Sequence, residues 1–399
     1  METLPTLRTD IQLVQAQYQG RMVIAVKDGL SPQDDVILLN AETAPLLSLF
    51  DGRHSMRDLQ LALMRAGGHR IVLESEVRAL VQELDRRLLL QTERYAARLV
   101  EAKTEFAALA VRPPALAGTA YPADRAGVAD MIERMVPTGG DHTPNGLTVR
   151  GIVAPHINLS VGARTYGKIY SLIRGMTPSR LVVLGTGHAL EQGLFSVSSK
   201  AYETPLGGFA NDTEAVQRLR QVGPPALAPD DFAHRIEHSI EFQVLFLRHV
   251  IPGPVPLVPI LCGSVSEWLS RVIHPAEIPG VAAFVEVLGE IVDEQTLVIA
   301  GVDLSHIGPK FGDDAPASVI EAQSRGHDER LLEALCAGSV EELWREAREV
   351  GDRYNVCGLS TLALLMQLFP DMHGRVIDYH IWHEGATRSA VSFAGVAFS

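Results

Sequence analysis

Short runs of apolar, β-branched residues alternate with longer amphipathic stretches over most of the chain after Leu116. The runs predict strands, and they lie at 151–155, 180–185, 255–261, 296–302, 375–381 and 389–398. Amphipathic helices are predicted between the strands, in the stretches ADMIERMV, ARTYGKIYSLI, IEFQVLFLRHV, VAAFVEVLGEIV and LSTLALLMQLF. This alternation predicts an α/β domain with helices packed on a sheet.

The residues before this region follow a different pattern. RMVIAVKDG and DDVILLN predict short strands, and residues 41–67 predict two helices broken at Asp51-Gly52. A third helix is predicted within 73–91, with Glu74 and Ser75 near its start, where capping and dipole effects favour them. One face of this helix carries Val77, Leu80, Val81, Leu84 and Leu88. Strands with three short helices predict a small winged-helix-like α+β module. Its acidic stretches ESEV and QELD argue against DNA binding.

A charged helical connector is predicted over 101–113, because a helix cannot continue through Pro113-Pro114. The predicted domains are therefore residues 1–112, the winged-helix-like module with its connector, and residues 113–399, the α/β domain.

Bulk composition narrows the class of protein. Hydrophobic residues make up 46% and charged residues 21%, which is typical of a globular chain. The net charge of -13 without clustered Lys and Arg disfavours a nucleic-acid surface. No apolar stretch approaches the roughly 20 residues of a membrane span, and the N-terminus has no signal-peptide pattern. With 3 cysteines, a disulfide framework is not expected, and we predict a cytoplasmic protein.

Candidate chemistry follows three predicted strands at the point where each one ends. The apolar run in GIVAPHINLS ends at His156, and the run in RLVVLGTGHAL ends at His188. The run in LVIAGVDLSHIG ends at Asp303 and His306. Since ligands collect at the carboxyl ends of strands in an open α/β sheet, we expect these side chains to share one crevice. Cys357 precedes a long apolar helix, whose N-terminus favours a thiolate. Imidazole and thiolate together form a ligand set for a transition metal, and Asp303 either orients a histidine or binds directly.

A further dense stretch is HRIEHSIEFQVLFLRHV. Glu237 and His238 stand at a predicted helix start and are candidates to complete the site as acid, base or orienting group. Glu241 lies one turn further, either in the site or on a solvated charged face. Cys262 and Cys336 are predicted to be packed thiols. The Gly-rich stretch YETPLGGFANDTE either borders the crevice or closes a hairpin.

The motifs GTAYPAD, APHINLSVGA, LGTGH, TPLGGFANDTE, RIEHSIEFQ, GVDLSHIG and NVCGLSTLALL occur in the order seen in the Memo-like family. Over residues 116–399 the chain resembles this family, known in bacteria as protein B of the AmmeMemoRadiSam system. The resemblance implies the fold of LigB-like extradiol dioxygenases. It also implies that His156, His188 and Cys357 are metal ligands and that Asp303, His306, Glu237 and His238 are catalytic groups.

The N-terminal stretch LFDGRHSMRDL…VRALVQELDRRLLL resembles the PqqD-like peptide-recognition family; a generic helical docking domain is the alternative. Together the resemblances imply a non-haem Fe(II) enzyme, or a copper one, that performs redox chemistry on a small molecule or peptide. Radical-SAM and AMMECR1-like proteins are the implied partners. The implied thiolate ligand disfavours ring cleavage, since a thiolate also suits Cu(I) and Zn. The alternatives are a metal-dependent peptide-binding scaffold without turnover and a zinc hydrolase.

Overall fold

The computed structural model describes residues 3–28, 30, 37–41, 44–66, 71–136 and 149–399. Two compact units divide the chain, Met1–Ala108 and Leu109–Ser399. The sequence placed this division a few residues later, at 112/113. No helix among the described residues is long and apolar enough to cross a lipid bilayer.

The N-terminal unit combines an antiparallel sheet with helices. Its strands, in the order β1-β2-β3, are β1 (Ile11–Tyr18), β2 (Arg21–Asp28) and β3 (Ile37–Asn40). Its helices are α1 (Ala44–Leu47), α2 (Met56–Ala66), α3 (Glu74–Arg86) and α4 (Glu93–Ala107). The predicted strands β2 and β3 and the predicted helices are present. Strand β1 was not predicted, and parts of the predicted stretches 21–29, 34–40 and 41–67 lie outside the described residues.

Two boundaries in this region differ from the prediction. Helix α3 ends at Arg86, and Leu88 adopts a left-handed φ of 58°, so Leu88 is not part of the helical face. Helix α4 ends at Ala107, well before the double proline. Val111 and Arg112 are extended instead. Pro113 disfavours the α conformation of the residue before it, which is Arg112.

The second unit alternates strands and helices along the chain. Its strands are β4 (Val111–Arg112), β5 (Gly151–Ala154), β6 (Arg180–Thr186), β7 (Phe195–Val197), β8 (Ala201–Tyr202), β9 (Leu257–Cys262), β10 (Thr296–Gly301), β11 (Asp303–Ile307), β12 (Gly374–Glu384) and β13 (Ser389–Phe398). Its helices are α5 (Arg125–Met135), α6 (Ala163–Ser171), α7 (Thr213–Arg220), α8 (His238–Val250), α9 (Val281–Ile291), α10 (Ala317–Ala337), α11 (Val340–Val350) and α12 (Leu359–Leu368). The predicted α/β architecture is confirmed. The short strands β4, β7, β8 and β11 and helices α7 and α11 were not predicted; Asp303 and His306, expected beyond a strand end, lie within β11.

The main sheet mixes parallel and antiparallel strands in the order β11-β13-β5-β10-β6-β9-β7, with β12 paired to β13. Strands β5, β10, β6 and β9 are parallel, whereas β7, β11, β12 and β13 make antiparallel pairs. Strand β10 therefore lies between β5 and β6. In this register Gly301 stands beside Ala154 on one side and Gly185 on the other, so the carboxyl ends of three strands meet.

Alternate residues of the central strands enter two different cores. Val182 and Leu184 of β6 pack with helices α7 and α9–α12, whereas Leu181 and Val183 pack with α5, α6 and α8. Central parallel strands buried on both faces are expected to be continuously apolar, as these are. The result is a three-layer domain, and polar side chains gather at the carboxyl ends of its central strands.

Candidate metal centre

Two histidines stand just beyond neighbouring strand ends. His156 follows β5 and His188 follows β6, and their ring centroids are 5.1 Å apart. His156 is buried, with 3% of its side chain exposed, whereas His188 is 40% exposed. Asp303 follows β10 between them, and its Oδ2 lies 3.7 Å from Nε2 of His156. The structure thus brings together His156, His188 and Asp303, which the sequence placed at separate strand ends, whereas His306 lies further along the chain within β11.

His238, the first residue of α8, completes a cluster of three imidazoles. Its ring centroid is 5.2 Å from that of His156 and 4.9 Å from that of His188. Each ring offers a nitrogen, and these three nitrogens all lie within 4.8 Å of one another. The sequence assigned His238 an acid–base role, but its position beside the other two rings makes it equally a candidate ligand.

Cys357 adds a sulfur to the imidazoles. Its Sγ lies 3.4 Å from Nε2 of His156 and 3.5 Å from the carbonyl oxygen of Asp303. Burial works to raise the pKa of this thiol, but the His156 and His188 imidazoles outweigh burial and leave the pKa below its ordinary value. Gly358 permits this approach, because a Cβ there would lie 1.9 Å from Cγ1 of Val302.

Glu237 orients two of the imidazoles. Its carboxylate accepts hydrogen bonds from the main-chain N–H of His188 at 3.0 Å, from Nδ1 of His188 at 3.1 Å and from the N–H of Ser239 at 3.0 Å. Nδ1 of His238 lies 3.1 Å from the same carboxylate. Burial would raise the pKa of Glu237, but His188 and His238 hold it well below the usual range. Conversely, burial acts to lower the pKa of His188, but Glu237 and Cys357 raise it well above its ordinary value.

The main chain orients the third imidazole. Nδ1 of His156 donates to the carbonyl of Gly301 at 3.0 Å, and burial lowers the pKa of His156. Because each Nδ1 faces an oxygen acceptor, the lone pair of each neutral ring lies on Nε2. A histidine that binds a metal almost always donates its other N–H to a carbonyl or carboxylate in this way. The donor set therefore fits a metal ion.

Asp303 and His306 interact electrostatically, but the hydrogen bonds of each side chain go to the main chain. Oδ1 of Asp303 accepts from the N–H groups of His156 at 3.0 Å and Ile157 at 3.2 Å, so the carboxylate orients the His156 loop. Nδ1 of His306 lies 3.0 Å from the carbonyl oxygen of Leu304. The ring is therefore oriented by the main chain. Burial raises the pKa of Asp303 and lowers that of His306.

Helix α8 fastens the strand ends that carry the histidines. The hydroxyl of Ser239 donates to the carbonyl of Thr186 at 2.8 Å, next to the β6 end, and Nε2 of Gln243 donates to the carbonyl of Pro155 at 2.9 Å, next to the β5 end. The helix lies so close to β10 that a Cβ at Gly301 would be 2.6 Å from the carbonyl oxygen of Ser239. The sequence analysis missed these roles. The available signal was two uncharged polar residues four apart, and so on one face of the helix.

Glu241 is neither a ligand nor part of a solvated face. It is 1% exposed, and its carboxylate accepts from the N–H groups of Ala115 and Leu116 at 3.0 and 2.9 Å and from the side chains of Arg112 and Tyr121. The reading of Glu241 as a solvated charge is wrong, because α8 is buried on this side by the segment that follows the unit boundary.

The other sequence expectations concern residues away from the cluster. Cys262 is wholly buried at the end of β9, and burial raises its pKa to about 12. Cys336 packs against the core from α10, so both predictions of packed thiols are confirmed. In the Gly-rich stretch, Tyr202 and Phe209 exchange main-chain hydrogen bonds of 3.1 and 2.9 Å, which closes a hairpin.

Comparison with known proteins places this site in a family context. Residues 112–397 match the family described as Memo-like protein. A MEMO1 family protein of Aquifex aeolicus is 31% identical over 96% of this chain and 96% of its own length. A MEMO1 family protein of Thermus thermophilus is 26% identical over 80% of this chain and 92% of its own length. One from Archaeoglobus fulgidus is 27% identical over 72% of this chain and 99% of its own length.

Proposed function

Because the chain belongs to the Memo-like protein family, we propose that its histidine cluster binds one redox-active transition metal ion and that the protein is a metal-dependent oxidoreductase. Fe(II) is the proposed ion, with copper second. The observation that carries the proposal is the group of three ring nitrogens within 4.8 Å of one another, with the thiol of Cys357 beside them. The proposed substrate is a small molecule or a peptide.

The proposed ligands are His156, His188 and Cys357, with His238 as a further nitrogen. Imidazole suits iron, copper and zinc, and a thiolate suits the softer members of this group. When bound, such an ion supplies one-electron chemistry and Lewis acidity. Glu237 holds the Nδ1 protons of two of these rings, and this keeps their Nε2 lone pairs directed away from it.

His306 is the proposed proton-transfer group. Its Nδ1 is held by the main chain, so Nε2 is the nitrogen that accepts or returns a proton. Burial lowers the pKa of His306, which keeps the ring neutral at neutral pH and competent as a base. The side chains of His188 and His238 are 40% and 36% exposed, so a substrate has direct access to the histidine cluster from that side.

Two alternatives share the same cluster. Zinc in place of iron would make the protein a hydrolase, since zinc lowers the pKa of bound water to about 7; His306 would then serve as the base. The open edge at His188 and His238 also favours a scaffold that binds a peptide end without turnover. The identity of the metal separates the first alternative from the proposal, and the absence of turnover separates the second.

The test is metal analysis after anaerobic purification. We expect iron in the full-length protein and its loss in Cys357→Ala and His188→Ala. The controls are Cys336→Ala and His249→Ala, which remove a thiol and an imidazole remote from the cluster and should keep the metal. Full occupancy in both site variants would show that the ligand assignment is wrong. A wild-type protein that neither contains nor accepts iron, copper or zinc would refute every catalytic version.

For the N-terminal unit, we propose a peptide-recognition role in the cytoplasm beside radical-SAM and AMMECR1-like partners. Its support is that residues Met1–Ala108 form a compact unit of their own. A chain of residues 109–399 should keep the metal and lose affinity for a partner peptide, measured by calorimetry against the full chain. Equal affinity of the two chains would refute this role.

A further inference from the structure

Arg112 is a wholly buried cation whose hydrogen bonds lead to the metal centre. It lies on β4, directly after the unit boundary, and 0% of its side chain is exposed. Nε donates to the carbonyl of His234 at 3.0 Å, and Nη2 donates to the carbonyl of Glu237 at 3.0 Å. Nη1 donates to the carboxylate of Glu241. All three nitrogens of the guanidinium are therefore engaged by the segment that starts α8.

The surroundings of Arg112 make this arrangement rigid. A buried charge needs a partner, and Glu241 supplies it one turn into α8. The turn containing His234 is held from its other side, since Nδ1 of His234 is 2.6 Å from the hydroxyl of Tyr202 and Nε2 is 3.0 Å from the carbonyl oxygen of Ser196. The main chain at Glu237 thus has little freedom to move.

We propose that Arg112 is a positioning residue for the metal centre: by fixing the main chain of Glu237, it sets the carboxylate that orients His188 and His238. The contacts form a continuous series. The Arg112 guanidinium binds the carbonyl of Glu237, and the Glu237 side chain binds Nδ1 of His188 and lies 3.1 Å from Nδ1 of His238. This inference rests on the proposed metal-binding function.

A lysine at position 112 tests the geometry rather than the charge. Its ammonium is a compact donor and cannot reproduce the planar fork that reaches three acceptors in different directions. The chain offers a matched control in Arg8, which also has 0% of its side chain exposed. Arg8 donates to Asp10, Asp28 and the carbonyl of Leu88, all within the N-terminal unit.

The experiment titrates Co(II) into the metal-free full-length wild type, Arg112→Lys and Arg8→Lys, and records the visible absorption spectrum. Thermal melts establish that each variant is folded. Loss of an outer partner of a metal ligand costs roughly 10–100-fold in metal affinity. We expect Arg112→Lys to bind Co(II) about 10-fold more weakly, at the lower end of that range, because it acts through Glu237. Its ligand-field bands should also change, whereas Arg8→Lys should match the wild type in both respects.

The outcomes separate this inference from the proposal beneath it. Wild-type affinity and spectrum in folded Arg112→Lys would overturn the positioning role. Equal weakening in Arg112→Lys and Arg8→Lys would also overturn it, since it would reflect only a general loss of packing. If Arg112→Lys does not fold, Glu241→Gln decides: removing the counter-charge should weaken Co(II) binding, and unchanged affinity overturns the inference. A wild type that binds no Co(II) would refute the proposed function itself.

Discussion

Replacing Glu237 with Gln should weaken metal binding and destabilise the second unit, because one carboxylate serves several donors. Its Oε1 faces Nδ1 of both His188 and His238 and the N–H of Ser239, while Oε2 accepts from the main-chain N–H of His188. An amide has only one oxygen. If that oxygen takes the Oε1 position, the NH₂ group faces the His188 N–H, formerly bonded at 3.0 Å, and two donors oppose each other.

The magnitude follows from that mismatch. A buried donor left without an acceptor costs about 1–3 kcal/mol of unfolding free energy. The orientation of two imidazoles is also weakened, which should lower metal affinity about 10–100-fold. Urea unfolding of the metal-free protein and Co(II) titration measure the two effects separately.

The pH dependence of the destabilisation has a defined sign. The folded pKa of Glu237 is depressed, so its stabilisation is present above the unfolded pKa of about 4.3 and is lost as pH falls through the folded pKa. The folded pKa of His188 is raised, so its contribution is present below about 6.5 and is lost as pH rises through the folded pKa. The difference between wild type and Glu237→Gln should therefore be widest between about pH 4.3 and pH 6.5.

A matched control is Asp378→Asn. Asp378 is also a buried carboxylate with several donors, Thr165 at 2.8 Å, Lys168 at 2.6 Å and Arg164 at 3.0 Å, but it touches no imidazole of the cluster. It should lose stability and keep wild-type Co(II) affinity. The reasoning fails if Glu237→Gln binds Co(II) as tightly as the wild type, or if Asp378→Asn weakens binding equally.

Two further predictions concern residues outside the ligand set. Burial lowers the pKa of His327 to about 4, so the unfolded chain binds more protons than the folded one between about pH 4 and 6.5, and stability decreases as the pH is lowered through this range. Urea unfolding should show that the wild type loses about 2 kcal/mol more than His327→Phe when the pH is lowered from 7.5 to 5. Parallel pH profiles of the two proteins would contradict this prediction. Gly301→Ala should destabilise the protein and weaken Co(II) binding, since its Cβ would lie 2.6 Å from the carbonyl oxygen of Ser239. The control Gly289→Ala lies in open space on α9 and should instead stabilise the protein by about 0.5–1 kcal/mol. Thermal melts in which both variants shift stability in the same direction would refute the steric argument.

Several features were determined by the sequence alone. The central strands, several of the helices that cover them and the residues at the strand ends were predicted, because burial on both faces of a sheet imposes continuous apolar runs and helices impose their own period. These are local properties of the chain. The ordered motifs also indicated the Memo-like family, which the match over residues 112–397 shows.

Other features exist only in the tertiary structure. The lateral order of strands depends on pairings between distant segments, so nothing local predicts that β10 lies between β5 and β6. That order brings Asp303 to the His156 loop. Hydrogen-bond partners across long sequence separations were equally hidden. Only the packing of α8 against the strand ends places the His238 ring beside those of His156 and His188 and places Glu237 between two imidazoles. Only the fold buries Arg112 against the carbonyl of Glu237.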